Sequence, residues 1–444
     1  MVARYDYGAS TMMGISTMTR TGYLGDLLSQ LVERRFAPLR VTSGKPIEEM
    51  CAALLAGEGE VSTMRLARDI LAVYARMDNQ GKRAFFTYLA NEHDITPDAV
   101  ARAAHDYGTA RDAEHLKMLL RVAEPRRQEL LRRLNHAPGA TVELVRMRRD
   151  LLTFLPEIPA LSRVDLDFAH LFQSWFNRGF LVLHQVTWDS PARLLEKIIE
   201  YEAVHAIGDW EALRARVDPK DRRCFAFFHP AMPDEPLIFV EVALVKGVPG
   251  SVQHLLAHDR KPLDPAQADT ATFYSISNCQ SGLKGISFGN SLIKQVVALL
   301  QQELPHLRQF VTLSPIPGLG AWLREQERAG DDAAKALLAA PQPMSEALQT
   351  SLRRLAARYL LEVKGKHDRP RDPVARFHLH NGALIHEIHA EADISERGLA
   401  QSCGAMVNYL YDLDNVESHH ESYATQGKIA ATRTVRQLAR AAQE

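Results

Sequence analysis

One short segment combines a hydroxyl group with a rigid backbone. The stretch TLSPIPG (312–318) sets Ser314 between a strand-like apolar run and a proline-rich turn. Because proline restricts backbone rotation, this turn would hold the Ser314 hydroxyl in one position. The GxSxG pattern of a nucleophile elbow is missing. Ser314 is therefore a candidate positioned hydroxyl, and the alternative is an ordinary helix-capping or turn serine.

A second segment, FHLHNGA (377–383), contains histidines two residues apart. If this segment is a strand, alternation places His378 and His380 on the same face. A histidine is the natural proton donor near neutral pH, so His378 is a candidate general acid or base. The alternative is a histidine that hydrogen bonds satisfy in the core or on the surface.

The histidine-rich region also has to be considered as a metal site. His378, His380, His386 and His389 fall within twelve residues. The HEIH stretch is not the zinc motif HExxH, because its second histidine is one residue too close for the i, i+4 face of a helix. No cysteine or carboxylate completes an obvious set, and none of the four cysteines forms a CxxC pair. We expect neither a metal nor an organic cofactor.

The glycine-bearing turn QSGLKGISFGN (280–290) lies between a predicted strand and a predicted helix. Glycines let the backbone approach a ligand closely, and the free N–H groups of a helix start favour an anion. The turn is neither a Walker A loop nor a GxGxxG motif. A tight turn that needs positive φ is the alternative.

The turn resembles the CoA pyrophosphate loop of the acetyltransferase-type (GNAT) fold. The residues that carry the resemblance are Lys284, Gly285, Ile286, Ser287, Phe288, Gly289 and Asn290. Ser287 stands where the first signature glycine would be.

The elements that must position these residues change in character near residue 175. Apolar residues recur at helical spacing in 24–36, 64–77 and 113–134, and Thr96-Pro97 has the form of a helix start. After residue 175, runs rich in Phe, Val and Ile predict strands, and two of them flank a turn at 232–235. We expect strand or turn structure in 377–395 and a final helix in 395–411. The order predicts an α+β or α/β sheet domain after a helical region.

Composition limits the classes of partner. The chain has 444 residues and a formal net charge of -1, so no bulk basicity indicates nucleic acid or anionic lipid. No apolar run approaches the roughly 20 residues that span a bilayer. Scattered cysteines suggest a reducing compartment, and the first twenty residues lack the apolar centre of a signal peptide. The last residues carry no SKL-type peroxisomal address. We expect a cytoplasmic protein that binds neither nucleic acid nor membrane.

Together these segments resemble the malonyl-CoA decarboxylase family, continuously from about Phe172 to Lys428. The specific stretches are WFNRGFLVLHQVTWDSP (175–191), FYSISNCQSGLKGISFGNSLIKQVV (273–297), ELPHLRQFVTLSPIPG (303–318), FHLHNGA (377–383) and NYLYDL (408–413). The resemblance implies an α+β protein with an all-α N-terminal bundle, residues 1–175, that mediates self-association. It also implies a GNAT-like mixed α/β catalytic domain, residues 176–444.

The resemblance also implies an activity and roles. The reaction would convert malonyl-CoA to acetyl-CoA and CO2 through a thioester enolate, without a cofactor, as in fatty acid metabolism. Ser314, His378 and Tyr411 would be catalytic, and Lys284 to Asn290 would contact CoA. The chain would form a homo-oligomer such as a tetramer. One departure is Ser287, where some family members carry an acidic residue. Ser287 itself, another carboxylate or water would then have to orient the catalytic groups in place of that acid.

Two roles stay open for the serine. In one, Ser314 orients the malonyl group and His378 supplies the proton. In the other, Ser314 is a nucleophile and His378 is its base. Two other functions compete with decarboxylation: a GNAT-type acyl-CoA-dependent acyltransferase, which would consume an amine, and a non-catalytic adaptor or CoA sensor.

Overall fold

The computed structural model describes residues 45–57, 59–286 and 292–442. The predicted helix at 24–36 and four of the predicted CoA-contacting residues, Ser287 to Asn290, lie outside the described residues. No helix in the described part of the chain is long and apolar enough to cross a membrane.

Eight α-helices form the N-terminal region of the described chain. They are α1 (Ile47–Ala56), α2 (Glu60–Ala75), α3 (Asn79–Glu92), α4 (Pro97–Ala110), α5 (Ala113–Ala123), α6 (Arg126–Asn135), α7 (Ala140–Phe154) and α8 (Ser162–Trp175). The predicted start at Thr96-Pro97 is the start of α4. The continuous helix predicted at 113–134 is wrong, because Pro125 cannot continue a helix and separates α5 from α6.

In the residues that the structure describes, an eight-stranded sheet follows the helices. Its strands are β1 (Val182–Val186), β2 (Arg222–Phe228), β3 (Ile238–Val245), β4 (Thr270–Asn278), β5 (Gln309–Thr312), β6 (Ser314–Pro315), β7 (Leu384–His389) and β8 (Met406–Leu410). The strand order is β1-β2-β3-β4-β5-β8-β6, and β7 also pairs with β8. Every pair is antiparallel except β4 with β5. The predicted architecture, a helical region followed by a mixed α/β domain, is confirmed.

The parallel pair opens part-way along its length. β4 and β5 pair from Thr270↔Gln309 to Phe273↔Thr312, and there the pairing stops. β4 continues to Asn278 and stays paired with β3 over this stretch. Beyond Phe273, the edge of β4 that faces β5 has no pairing with that strand. A gap therefore forms between β4 and β5.

Helices around the sheet bury both of its faces. They are α9 (Ala192–Tyr201), α10 (Trp210–Val217), α11 (Val252–Leu256), α12 (Leu292–Glu303), α13 (Leu319–Arg328), α14 (Asp332–Leu338), α15 (Glu346–Glu362), α16 (Pro373–His380), α17 (Glu396–Ser402), α18 (Val416–Gln426) and α19 (Arg433–Arg440). One apolar core runs from the N-terminal helices to the sheet, from Leu144 to Phe273 and Tyr411.

Two predictions near the C-terminus are wrong. The FHLH stretch is the last turn of α16, not a strand, because Asp372 caps a helix that begins with Pro373. The segment 395–411 is not one final helix. α17 ends at Ser402, and Cys403 and Gly404, both with positive φ, turn the chain into β8.

Candidate active site

Ser314 lies just beyond the point where β4 and β5 separate. Leu313 interrupts the strand, and Ser314 then pairs with Val407 of β8. The side chain is 6 % exposed. Its hydroxyl donates a hydrogen bond to Oγ1 of Thr312 at 2.8 Å. Backbone pairing on one side and the proline turn on the other hold this hydroxyl in place, as the sequence predicts.

His378 reaches Ser314 from the end of α16. Its Nε2 lies 3.2 Å from the Ser314 hydroxyl oxygen, and its Nδ1 lies 2.8 Å from the hydroxyl oxygen of Tyr411. The imidazole stacks on the ring of Tyr409, with centroids 4.5 Å apart. The three residues predicted from the family resemblance, Ser314, His378 and Tyr411, are thus joined in one hydrogen-bonded chain.

Burial determines the protonation states of His378 and Tyr411 in this hydrogen-bonded series. His378 and Tyr411 are each 2 % exposed. Desolvation lowers the pKa of His378 to about 3 and raises the pKa of Tyr411 well above its ordinary value. The imidazole is therefore neutral at physiological pH, and the phenol keeps its proton. A neutral imidazole has one N–H, so one ring nitrogen donates a hydrogen bond and the other accepts one.

Asp372, which is not among the residues predicted from the sequence, positions two parts of the site. One carboxylate oxygen accepts hydrogen bonds from the backbone N–H groups of Val374 and Ala375, which caps α16. The other oxygen accepts from the N–H of Gly318, 3.3 Å away. This single carboxylate joins the proline turn after Ser314 to the helix that carries His378. The Asp-Pro pair at 372–373 is the helix-start signal that could have revealed it.

Ser314 and His378 line a cavity of about 270 Å³ between the separated strands. A larger outer groove, about 770 Å³, adjoins it. Five residues line both spaces, so the groove leads to the cavity: Ile238, Asn278, Leu292, Pro373 and Phe377. The arrangement fits a long ligand whose end enters the cavity.

The outer groove is basic. Lys284, Arg369 and Arg376 line it, and within the described residues none of them forms an ion pair. The described hydrogen-bond partners of the arginines are backbone carbonyls, those of Tyr423 and Ala424 for Arg369, and these carry no net charge. Neither arginine is among the residues that the sequence predicted for the site, because an isolated arginine carries no motif signal.

The described part of the predicted CoA turn lines this groove. Lys284 and Gly285 are exposed, and Ile286 is buried. Gly285 has φ +81, which a glycine adopts without strain. The turn therefore needs positive φ at Gly285, and its described residues also line the groove. Contact with CoA stays a prediction.

Arg148 of the helical region holds the glycine-bearing turn at 280–290 through hydrogen bonds. Arg148 donates to the carbonyl oxygens of Gly282 (2.8 Å) and Lys284 (2.9 Å) and pairs with Asp165. A Cβ atom at Gly282 would lie 1.9 Å from the carbonyl oxygen of Val145. The helical region and the turn are in direct backbone contact, so the geometry of the groove depends on both.

The remaining histidines of the cluster do not join His378. His380 is at the surface of α16 beside the ring of His420, and His386 and His389 lie on β7. The predicted common face of His378 and His380 is wrong, because positions i and i+2 of a helix point apart. Among the residues that the structure describes, no group of three or more His, Cys, Asp or Glu side chains could hold a metal ion.

Comparison with known proteins decides the family. The family model for the malonyl-CoA decarboxylase C-terminal domain matches residues 179–444, and that for the N-terminal domain matches residues 94–176. The chain belongs to the malonyl-CoA decarboxylase family. A goose (Anser anser anser) relative named mitochondrial malonyl-CoA decarboxylase is 34% identical over 421 residues, 84% of this chain and 82% of the relative. A rat (Rattus norvegicus) relative of the same name is 36% identical over 355 residues, 71% of each chain.

Solved structures of the family have the same architecture. Malonyl-CoA decarboxylase from Rhodopseudomonas palustris superimposes with a TM-score of 0.84 at 48% identity, over 88% of this chain and 98% of that one. The Agrobacterium vitis protein gives a TM-score of 0.83 at 45% identity, over 88% and 99%. The matched regions cover nearly all of both relatives, so the helical region and the sheet domain are both features of the family.

Proposed function

We propose that this chain decarboxylates malonyl-CoA to acetyl-CoA and CO2. The observation that carries the proposal is the buried chain Tyr411–His378–Ser314 at a cavity that a basic groove enters. Family membership supports the choice of substrate, and the groove has the charge that a CoA thioester needs.

The thioester lies along the groove, and its acyl end enters the cavity. Lys284, Arg369 and Arg376 face the phosphates of CoA. The pantetheine arm passes through the gap between β4 and β5, where an open strand edge offers backbone N–H and C=O groups to its amides. The cavity of about 270 Å³ holds the short malonyl group next to Ser314 and His378.

The malonyl group carries its own electron sink. Its carboxylate is β to the thioester carbonyl, so cleavage of the C–CO2 bond leaves an electron pair that the carbonyl takes up as an enolate. The site has to turn the carboxylate out of the carbonyl plane, stabilise the enolate oxygen and protonate C2. A positioned donor to a developing oxyanion is worth about 3 kcal/mol, and a positioned proton donor about 10²–10⁴-fold in rate.

Ser314 and His378 divide these tasks. The Ser314 hydroxyl donates to an oxygen of the malonyl group and orients it, and Nε2–H of His378 transfers its proton to C2. One proton from solvent restores the imidazole, so each turnover consumes malonyl-CoA and one H⁺ and releases acetyl-CoA and CO2. Desolvation keeps the imidazole neutral, so the proton that it gives up is its N–H proton.

Product analysis with matched variants tests this proposal. Purified protein is incubated with malonyl-CoA, EDTA and no amine, and CO2 and acetyl-CoA are quantified. Ser314→Ala and His378→Asn are compared with Ser174→Ala and His136→Asn, which change exposed residues of the helical region. We expect equal amounts of the two products from the wild type and both controls, and a loss of at least about 100-fold in the site variants.

Other outcomes of the same assay assign other functions. Free CoA and malonate without CO2 would make the protein a hydrolase, and turnover only after an amine is added would make it an acyltransferase. A radiolabelled malonyl group trapped on the Ser314 peptide would establish the nucleophilic role of the serine and contradict the orienting role.

Self-association is assigned to the helical region, residues 1–175, and catalysis to residues 176–444. Helices α4 and α5 support this division, because α5 has no buried residue and α4 buries only Ala103. Leu116, Met118 and Leu120 of α5 are 37%, 50% and 63% exposed. Such an apolar surface fits a second copy of the chain. Sedimentation of a Leu116→Glu/Leu120→Glu variant tests it: we expect a smaller oligomer than the wild type, and equal masses would contradict this assignment.

The cytoplasm is the proposed compartment. Four cysteines are free and buried, which suits a reducing environment. The goose and rat relatives are named mitochondrial, and that compartment is the competing location. Fractionation of the source cells followed by detection with an antibody to the chain distinguishes a cytosolic location from an organellar one.

A further inference from the structure

Thr312 occupies the last paired position of β5, next to Ser314. It is completely buried, and it pairs with Phe273 of β4 at the point where the two strands separate. Its carbonyl oxygen accepts a hydrogen bond from Nδ2 of Asn408, 2.8 Å away. The backbone of Thr312 is therefore fixed on both sides, at the point where β4 and β5 separate.

Two donors contact the hydroxyl oxygen of Thr312. The Ser314 hydroxyl donates to it at 2.8 Å, and the backbone N–H of Tyr409 donates at 3.2 Å. A hydroxyl oxygen has two lone pairs, so these two donors use both of them. The proton of Ser314 is thereby directed to Thr312 and away from the imidazole.

The direction of the Ser314–Thr312 hydrogen bond determines the direction of the hydrogen bond between Ser314 and His378. Because the Ser314 proton points to Thr312, only lone pairs of the Ser314 oxygen face Nε2 of His378, 3.2 Å away. Nε2 must then carry the imidazole proton, and Nδ1 must accept from the Tyr411 hydroxyl. The chain of donors runs Tyr411 to His378 to Ser314 to Thr312. It is opposite to the direction in a nucleophilic serine, whose hydroxyl donates to the histidine.

We propose that Thr312 is a positioning residue that, through Ser314, keeps the proton of His378 on Nε2, the nitrogen next to the acyl cavity. This inference deepens the proposed function, because the proton on Nε2 is the one that C2 receives. Thr312 sets this tautomer in the free enzyme, before the acyl group binds. The Ser314 O–H then turns from Thr312 to a malonyl oxygen, and its lone pair still faces the Nε2–H that is already in place. Thr312 therefore also keeps Ser314 from acting as a nucleophile in the free enzyme.

Replacing Thr312 by valine removes the acceptor and keeps the shape of the side chain. The Ser314 proton then turns to Nε2 of His378, and the imidazole proton moves to Nδ1, where Tyr411 accepts it. Serine at the same position restores a hydroxyl. The experiment compares wild type, Thr312→Val and Thr312→Ser in kcat and KM for malonyl-CoA, and in the labelling rate of Ser314 by a small alkyl fluorophosphonate. In labelling, the Ser314 oxygen bonds to phosphorus, fluoride leaves and His378 takes the proton.

The valine variant should lose at least about tenfold in kcat, with KM within about threefold of wild type, because only the proton donor is affected. Its Ser314 should be labelled at least about tenfold faster than that of the wild type. Thr312→Ser should match the wild type in both measurements. A Thr312→Val/Ser314→Ala variant, which should take no label, identifies the labelled residue.

Two results would overturn the proposal. One is a labelling rate of Thr312→Val equal to that of the wild type, whatever its turnover. The other is a loss of activity in Thr312→Ser as large as in Thr312→Val, which would indicate a packing role. Labelling needs no malonyl-CoA turnover. A wild type that releases no CO2 would therefore refute the proposed function alone, while the labelling comparison still decides the role of Thr312.

Discussion

Nδ1 of His378 lies 2.8 Å from the phenol oxygen of Tyr411, and Nε2 of the same ring lies 3.2 Å from the Ser314 hydroxyl. Both nitrogens of a completely buried imidazole are thus engaged by neutral hydroxyl groups. No carboxylate contacts the ring in the described part of the chain. This distinguishes the site from a serine hydrolase triad, where a buried aspartate stabilises the imidazolium. Here the surroundings favour an imidazole that stays neutral.

Removing the Tyr411 hydroxyl should slow turnover without weakening substrate binding. Tyr411→Phe keeps the ring and leaves Nδ1 of His378 without its partner, so the imidazole loses a hydrogen bond that fixes its orientation. We expect kcat to fall about tenfold or more and KM to change little, measured as acetyl-CoA release. Tyr107→Phe, in the helical region, is the control and should retain wild-type kcat. A Tyr411→Phe enzyme with wild-type kcat would contradict a role for this hydroxyl.

Burial of neutral His378 should make the protein sensitive to acid. The pKa is about 3 in the folded chain and about 6.5 when unfolded, so the unfolded state binds more protons between these values. Stability from this residue is complete above pH 6.5 and falls as the pH decreases towards 3. Between pH 7.5 and pH 5 the wild type should lose about 2 kcal/mol more unfolding free energy than His378→Asn.

Urea unfolding of both proteins at the two pH values measures this difference. Other titrating groups are common to the two proteins and cancel in the comparison. An unfolding free-energy difference that is the same at pH 7.5 and pH 5 would show that His378 is not buried in its neutral form.

A methyl group at Gly318 should disturb the turn after Ser314. A Cβ atom there would lie 2.1 Å from the Tyr359 hydroxyl oxygen, so either the turn or Tyr359 must move. Gly318→Ala should lose about 1–3 kcal/mol of unfolding free energy, and kcat should fall with it. The double variant Gly318→Ala/Tyr359→Phe lacks the clashing oxygen and should recover part of the lost unfolding free energy and part of the lost kcat.

Thermal unfolding and acetyl-CoA release check this prediction. Gly108→Ala is the control, because nothing lies within 4 Å of a Cβ atom at that helical position. A Gly318→Ala protein that unfolds and turns over like the wild type would mean that the turn accommodates a side chain.

Weakening the support under the CoA turn should affect binding more than chemistry. Arg148→Lys keeps the charge but cannot reproduce the hydrogen bonds to the carbonyl oxygens of Gly282 and Lys284 together with the Asp165 pair. KM for malonyl-CoA should rise several-fold and kcat should change less. Steady-state kinetics of Arg148→Lys and of Arg149→Lys, an exposed neighbour, separate the two effects. An unchanged KM in Arg148→Lys would show that the turn does not need this support.

The sequence predicted which residues meet in the candidate site better than it predicted the helices and strands that hold them. Ser314 could be found because a serine before Pro-x-Pro-Gly marks a rigid turn. The strand predicted at His378 is wrong, because the short alternation in 377–380 is compatible with either a strand or a helix end. Asp372-Pro373 is a helix-start signal, and it decides for the helix. Thr312 carries no signal at all in the sequence. Its role comes from a pairing between distant segments, β5 and β8, which local patterns do not contain.

The basic groove is likewise formed by segments that are distant in the sequence, which local patterns cannot predict. Lys284 was predicted because it lies in a glycine-bearing turn, whereas Arg369 and Arg376 come from a separate segment, 85 and 92 residues later in the chain. Only folding brings these segments together. Helix boundaries such as Pro125 were predictable in principle, since proline ends a helix wherever the fold places it.

Proton delivery in deuterated solvent tests the central claim most directly. Malonyl-CoA and the wild-type enzyme are mixed in D2O for a short time, and the products are analysed by mass spectrometry. Decarboxylation through a protonated enolate predicts one CO2 per acetyl-CoA and one added deuterium in each acetyl group, and His378→Asn should form neither product at an appreciable rate. Malonate and free CoA as the products, with no CO2, would contradict the account.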